Sequence, residues 1–376
     1  MNALEKISAA LFIVIVCCLV AIGIMISYSA SSYNSYIIKG DDMYFLKMQL
    51  KWLVIAVVAA GMAAFIPLRA FEKMTVPLFI AAVIILLLVY VPGIGVATKG
   101  AKRWIVLAGY QFQPSELAKI CIIMFNAWWF SHYRKNVEKL FMGNIIPLLI
   151  SGIPLFLILR QPDFGLPAIT GLTLILVIFA NGAKLWHISI IFLAGLAVSI
   201  LDIIKKSYRL GRLHEFFSKE PEGQVLESLI AISYGSIYGL GIGNSVAKLS
   251  YLPEAHTDFI FAIFAEEFGF VGTAGLIILY FFLMIFMYIM LRKVTNIFGK
   301  LLGYSILIMF LLQTLINLGV VTALLPTKGL TLPLMSYGGT SLLSWFILFG
   351  LFYNITCVEK RDKIIKKAML PGVGIA

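Results

Sequence analysis

Eight long apolar stretches of this chain contain not a single Asp, Glu, Lys or Arg. They are Ile7–Ile38, Trp52–Leu68, Met74–Thr98, Leu140–Leu159, Phe164–Ala183, Phe268–Leu291, Leu301–Thr327 and Gly329–Val358. A hydrocarbon layer about 30 Å thick takes about 20 apolar residues of helix to cross. Inside it only helices and closed barrels satisfy their own backbone. Runs of this length, repeated from one end of the chain to the other, exclude a water-soluble globule. Two weaker runs complete the set. Ile120–Tyr133 reaches crossing length only when it is counted from Ser115, and Leu185–Leu201 stands alone. The expected fold class is an all-α polytopic membrane protein with ten transmembrane helices, residues 1–376 forming one membrane domain. Composition agrees: 61% of residues are hydrophobic and 13% charged, against roughly half and a quarter in soluble domains.

The first run is too long for the apolar core of a removed signal peptide, although small residues do cluster at Ser29–Ser32. Cys17, Cys18, Cys121 and Cys357 lie in or beside apolar runs and form no metal or redox spacing, so they read as small apolar filler. With the N-terminus inside, the 30 Lys and Arg divide equally between the two sides. One segment, residues 202–258, is long, and long loops count little in the positive-inside rule. Without its six basic residues the balance is 9 outside against 15 inside. The basic tail, residues 359–376, then lies in the cytoplasm, as does the N-terminus. The net charge of +12 is read as inner loops facing anionic lipid, not nucleic acid. Ser228–Ala247 is also charge-free, but its four Gly and four Ser make it a poor lipid-facing helix. It is expected to be a surface or re-entrant part of the long extracytoplasmic loop, with short helices.

On this topology the unusual polar residues fall on the outer face. In "FQPSELAK" (112–119), Pro114 and Ser115 read as a helix start with Ser115 as cap. Glu116 and Lys119, three apart, share one face. They read either as a surface ion pair at a helix mouth or as a functional pair at membrane depth. In "RQPDFG" (160–165), Asp163 is bracketed by turn formers, and a turn cap is the plain reading. In "KGAKRWI" (99–105), Lys102 and Arg103 read first as interface anchors and second as phosphate contacts. "LLPTKGLTLPLMSYGGTS" (324–341) carries Lys328, Ser336, Gly338 and Gly339. Its glycines serve either as turn formers or as backbone that closes on an anion. "LPEAHTDFIFAIFAEEFG" (252–269) holds His256, Asp258, Glu266 and Glu267 among apolar residues. Thr257 or Asp258 can cap a helix from Phe259. The 33 residues from Phe259 to Leu291 exceed one straight crossing, and Gly269, Gly272 and Gly275 suggest a break. His256 reads as a hydrogen-bonded structural histidine, since no second His stands at ligand spacing.

"YLPEAHTDFIFAIFAEEFGFVG" with "LLPTKGLTLPLMSYGGTSLL" resembles the SEDS family of FtsW, RodA and SpoVE, and "KGAKRWI", "FQPSELAK" and "QPDFG" fit it in order. "LPTKGLTLP" resembles the FtsW/SpoVE branch of division and sporulation more than the elongation branch, while "EPEGQVLES" and "YGLGIGNS" depart from that branch's usual pattern. The resemblance implies a peptidoglycan glycosyltransferase polymerising lipid II, with undecaprenyl pyrophosphate as leaving group. It implies Asp258 as the essential carboxylate and general base. Glu116, Lys119 and Asp163 become polar cavity residues, with Lys102, Arg103, His256, Lys328, Ser336, Gly338 and Gly339 around the substrate. A sugar hydroxyl attacking an anomeric carbon needs one base. A pyrophosphate leaving group needs cations or N–H donors and no protonating acid, unlike the alkoxide of glycoside hydrolases. A divalent cation, Mg or Mn, is a possible cofactor. The resemblance also implies a class B penicillin-binding protein as partner, other division proteins nearby, and a place in the bacterial cytoplasmic membrane at the division septum. The aromatic eighth and ninth spans are candidates to dock the partner's single helix. Buried charges and broken helices suit a lipid II flippase equally, and a non-catalytic division scaffold is the third reading.

A cysteine placed at Leu370 is expected to resist membrane-impermeant labelling of intact cells. Efficient labelling from outside would mean that Ser228–Ala247 crosses the membrane.

Overall fold

The computed structural model describes residues 3–98, 101–107, 109–204, 210–212, 216–217, 223–249 and 252–358; the basic tail of the sequence lies outside these. The helices are α1 (Ala3–Lys39), α2 (Tyr44–Phe65), α3 (Leu68–Leu88), α4 (Pro114–His132), α5 (Ile146–Arg160), α6 (Gly165–Ala180) and α7 (Leu185–Ile204). After them come α8 (Gly223–Gly235), α9 (Ile260–Leu291), α10 (Ile297–Val321) and α11 (Gly339–Tyr353). Among the described residues eight helices are long and apolar enough to cross a membrane: α1, α2, α3, α5 with its leading turn from Leu140, α7, α9, α10 and α11 with its extension to Val358. The chain is thus a multi-pass, mostly helical membrane protein. α4 also has crossing length but carries the Glu116–Lys119 pair, and α6 is a shorter apolar helix.

α2, α3 and α10 begin earlier and end earlier than their charge-free runs. α2 takes in Lys47 and Lys51, and α3 takes in Arg69, Glu72 and Lys73. Long charged residues near a helix end keep their heads in the interface while their stems lie on apolar surface, so the helix continues through them. Because α3 is complete at Leu88, residues up to Thr98 are not helical. They open a three-stranded antiparallel sheet, β1 (Gly95–Thr98), β2 (Ala101–Leu107) and β3 (Tyr110–Phe112), in order β1-β2-β3. This small sheet is an addition to a fold that is otherwise helical, as expected. The last helix likewise starts at Gly339 rather than Gly329, after the two prolines Pro326 and Pro333.

α10 and α11 form the centre. Phe298, Phe310, Trp345, Leu348 and Phe352 are fully enclosed, and Phe310 packs edge-on against Trp345 with ring centroids 5.2 Å apart. α10 exposes Ile297, Leu311 and Leu315, while α9 turns the aromatic residues Phe270, Phe281, Phe282 and Tyr288 outward. Helices in lipid associate through close packing at small residues. Gly350 fills that role, since a β-carbon there would collide with the α2 backbone at Ala60.

The break expected in the long helix is real. Gly269 has φ 65 and interrupts α9. The groups it frees are satisfied by residues 236–241. Leu240 and Gly241 donate their N–H to the carbonyls of Glu266 and Glu267 at 2.9 and 3.0 Å, while Phe270 and Val271 donate to the carbonyls of Ser236 and Ile237 at 2.9 and 3.1 Å. Ser228–Ala247 is accordingly no single crossing. It contributes most of α8 and then this irregular segment, which packs on the break.

Gly269→Ala is expected to lower the thermal stability of the detergent-purified protein by more than about 1 kcal/mol. An L-residue at positive φ costs that much, and its β-carbon would strike the backbone of Gly239 and Ile237. Gly275→Ala, with open space around it, is expected to leave stability unchanged or slightly raised. Equal melting of both variants would contradict this account of the break.

Candidate functional site

The polar residues singled out in the sequence gather where four connections meet: the sheet, the turn 161–164, the turn before α9, and the irregular stretch 322–338. α4 begins with Pro114 at its first position and Gln113 as N-cap. Ser115, expected as the cap, is instead fully buried in the first turn. The N–H of Gln113 donates to Thr340 Oγ1 at 3.2 Å, joining α4 to the start of α11. One turn on, Lys119 Nζ donates to Glu116 Oε2 at 2.6 Å, and Ser344 Oγ donates to the same oxygen at 2.8 Å. Lys119 is 1% exposed, and its Nζ lies 4.8 Å from the Trp345 ring centroid. An unpaired ammonium in such a place is costly; a paired one is tolerated when its hydrogen bonds are complete.

Asp163 sits in the turn between α5 and α6 and accepts the N–H of Leu166 at 3.3 Å, so it does act as a turn cap. It is buried, and desolvation pushes its carboxyl above the ordinary 3.8. The Arg103 guanidinium and the Leu166 N–H pull the other way, and the nearby Glu116 carboxylate adds a further push upward. The cation acting on Asp163 is Arg103. That residue is no simple interface anchor: from β2 its Nε donates to Gln161 O at 2.8 Å and its Nη2 to Pro162 O at 2.6 Å, holding the turn in place. Its neighbour Lys102 is exposed on the sheet.

Asp258 precedes α9. The N-cap is Phe259, without a side-chain cap, so neither Thr257 nor Asp258 plays that part. Thr257 instead donates to Glu254. The Asp258 carbonyl accepts from Asn317 Nδ2 at 2.9 Å, and the same amide donates to Leu330 O at 2.6 Å. One side chain of α10 thereby ties the Asp258 turn to the stretch 322–338. Gly329 gives the carboxylate its room, since a β-carbon there would lie 2.8 Å from Asp258 Oδ2. Next to it, Lys328 Nζ lies over the Phe164 ring, 3.5 Å from the centroid. Leu330 abuts Gly165. Residues 328–330 thus bridge from Asp258 to the turn that carries Asp163. Arg212 Nη1 donates to Thr327 O at 3.1 Å and adds a fourth basic group beside Lys119, Arg103 and Lys328.

The remaining expected site residues are close by in packing roles. The His256 ring stacks on Phe45 at 5.3 Å and lies beside Tyr337 at 5.6 Å, and its carbonyl accepts the N–H of Tyr337. Ser336 Oγ accepts the N–H of Leu332 at 2.8 Å. Gly338 donates its N–H to Gln49 Oε1 at 3.4 Å, and a β-carbon at Gly339 would collide with Trp52. Gly339 is accounted for by its close approach to α2, whereas a β-carbon at Gly338 would meet Ser341 at ordinary contact distance. Sequence reasoning missed Gln313, Asn317, Ser344 and Arg212. Gln313 and Asn317 did leave a signal: two amides four residues apart inside an apolar run, hence on one face. Arg212 was counted only as loop charge.

Among the described residues no three of His, Cys, Asp and Glu gather as metal ligands. Mg²⁺ commonly binds through one or two carboxylates together with substrate phosphates. Asp163 and Asp258 are carboxylates of the kind that mode uses.

Fold and site together define a multi-pass membrane protein that keeps charged side chains inside its helix bundle, beneath irregular connections. Residues 9–361 match the family of FtsW, RodA and SpoVE, described as cell cycle protein. The chain belongs to this family. It is 36% identical over 360 residues to the probable peptidoglycan glycosyltransferase FtsW of Trichlorobacter lovleyi, covering 94% of each chain. It is 36% identical over 359 residues to that of Escherichia coli, covering 93% of this chain and 86% of the other. Among solved structures it resembles a chain of a peptidoglycan synthase complex that coordinates polymerization and crosslinking, with TM-score 0.76, 27% identity, and 94% and 97% of the two chains covered. It also resembles the rod shape determining protein RodA of Thermus thermophilus, with TM-score 0.66, 27% identity, and 92% and 95% covered.

Lys119→Met, which strands the buried Glu116 carboxylate, is expected to destabilise the protein by about 3–5 kcal/mol in thermal unfolding. Adding Glu116→Gln is expected to recover most of that loss. A single variant as stable as the wild type would show that the pair is not needed.

Proposed function

We propose that this chain is a peptidoglycan glycosyltransferase that polymerises lipid II into glycan strands for the division or sporulation septum. Its relatives are named for that activity. One local observation carries the reading to these residues: Asp258 faces Gly329, whose neighbour Lys328 lies over the ring of Phe164, itself the neighbour of Asp163, so carboxylates and a basic group come to one place.

In this reading Asp258 accepts the proton of the 4-hydroxyl of one sugar as its oxygen attacks the anomeric carbon of another. The new glycosidic C–O bond forms as the bond from that carbon to undecaprenyl pyrophosphate breaks, and the pyrophosphate leaves with the electron pair. Lys328 and Arg103 lie within the same group of loops and supply positive charge for the leaving group. Lys119 is engaged by Glu116 and serves the wall of the site instead. A bound divalent cation would add positive charge at the pyrophosphate, held by Asp163 and Asp258.

α4 and α6 join the eight long helices as crossings, making ten, with both termini in the cytoplasm and the four connections on the outer face of the bacterial cytoplasmic membrane. The reacting sugars are then in water and the lipid tails are not. A class B penicillin-binding protein crosslinks the product, its single helix seated along the outward aromatic face of α9, with other division proteins at the septum. The synthase complex among the structural neighbours supports such a partner. The flippase reading has less support. Polar residues deeper in the bundle are taken up locally: Asn126 Nδ2 donates to Ser151 Oγ at 2.7 Å, and the His187 ring pairs with Asn144 at 3.2 Å.

Asp258→Asn, in full-length protein purified with its penicillin-binding partner, is expected to slow lipid II polymerisation by about 10²–10⁴-fold. A well-folded variant that polymerises at the wild-type rate would remove Asp258 from the role of base.

A further inference from the structure

A second buried charge cluster lies outside the site described above. Glu266 and Glu267, in the last turn before the break in α9, are 0% and 1% exposed. Glu267 Oε1 accepts from Ser29 Oγ of α1 at 2.5 Å and from Lys248 Nζ at 3.1 Å. Lys248 Nζ also donates to Ser29 Oγ at 3.0 Å and to Gly243 O at 2.5 Å. Glu266 is served by the same loop: Ser245 Oγ donates to its Oε2 at 2.5 Å and the N–H of Val246 to its Oε1 at 2.9 Å. Three segments far apart in sequence are thus fastened at one point by a lysine, a glutamate and a serine.

The place of Lys248 in the chain gives the cluster its meaning, because Asp258 stands ten residues later. The way there is short and bonded. The N–H of Leu252 returns to Ala247 O at 3.0 Å, and the N–H groups of Thr257 and Phe259 both return to Glu254 O at 3.0 and 3.3 Å. Leu252 and Ala255 are buried. Glu254 has φ 59, a left-handed conformation that a non-glycine residue holds only when its surroundings enforce it. The Asp258 turn is therefore fixed at one end by Asn317 and at the other by the Lys248–Glu267 pair.

We propose that Lys248 and Glu267, linked through Ser29, are positioning residues: a buried charge pair that seats the turn 252–258 and so aims the Asp258 carboxylate without touching substrate. The inference rests on the proposed role of Asp258 as base, and its test has two independent readouts. Hydrogen exchange of the intact protein, in complex with its penicillin-binding partner, follows residues 252–259; lipid II polymerisation gives kcat and KM. Lys248→Met with Glu267→Gln removes both charges at similar volume. Glu267→Asp keeps the charge and shortens its reach, and serves in place of the double variant if that one does not fold. Either is expected to raise deuterium uptake in residues 252–259 and to lower kcat by about 10- to 100-fold with KM within about twofold, as a displaced reacting group would. Lys248→Arg is expected to retain protection and most of the rate. Unchanged uptake in both charge-pair variants would overturn the positioning role whatever the activity. So would raised uptake with unchanged kcat, or a loss confined to KM. If wild-type protein did not polymerise lipid II, the functional reading would fail while the exchange result still judged the lock.

Discussion

Backbone that leaves the helix inside a membrane protein must find its hydrogen bonds in the protein, because lipid offers none. That constraint organises this structure. The stretch 322–338 enters the bundle in its second half, where residues 332–336 are buried, Leu332 and Met335 almost wholly. Its carbonyls are met by side chains of the surrounding helices: Gln313 on Thr331, Asn317 on Leu330, Tyr280 on Pro333 and Ser27 on Met335. Each of these polar residues would burden an ordinary span. Together they keep an irregular segment at a depth where side chains from several helices can be brought to one place. Lys328 and Gly329 reach Phe164 and Asp258 because the segment that carries them is held in this way.

The two buried lysine–glutamate pairs follow the same logic with different outcomes. Glu116 and Lys119 lie on one turn of one helix, so their pairing is local and forms as α4 forms. It places a satisfied, polar wall beside Trp345 and Ser344. Glu267 and Lys248 are on different segments, and Ser29 brings in a third. Their pairing is met only when those segments have docked. One pair is complete within a single helix; the other forms only with the tertiary structure.

Much of this was legible in the sequence, for a definite reason. Absence of charge over 17 to 32 residues is a demand of the solvent, and it survives whatever the helices later pack against. The helix break at Gly269 was legible as well, because three glycines in a stretch too long for one crossing leave few alternatives. The boundaries were less so: Lys47, Lys51, Arg69 and Lys73 sit inside helices, and a reading based on charge stops short of them. The sheet was missed because its strands are short and held by each other rather than by a period in the apolar residues. Of the site, Glu116, Lys119, Asp163 and Asp258 announced themselves as charges among apolar neighbours. Arg103 did not reveal its strut role, nor Gln313 and Asn317 their carbonyls, since those depend on which backbone another segment leaves open.

The order of the chain adds something to the broken helix. The residues that complete the hydrogen bonding at Gly269 are Ser236, Ile237, Leu240 and Gly241, and they precede the break by roughly thirty positions. A ribosome therefore makes the complement before it makes the defect. When residues 266–271 emerge, the carbonyls and N–H groups they need already exist on the segment just ahead of them, so the interrupted helix need never face lipid with its backbone open. Reversing that order, by a permutation that places α8 and residues 236–241 after α9, would keep every contact of the folded protein while removing that safeguard from its synthesis.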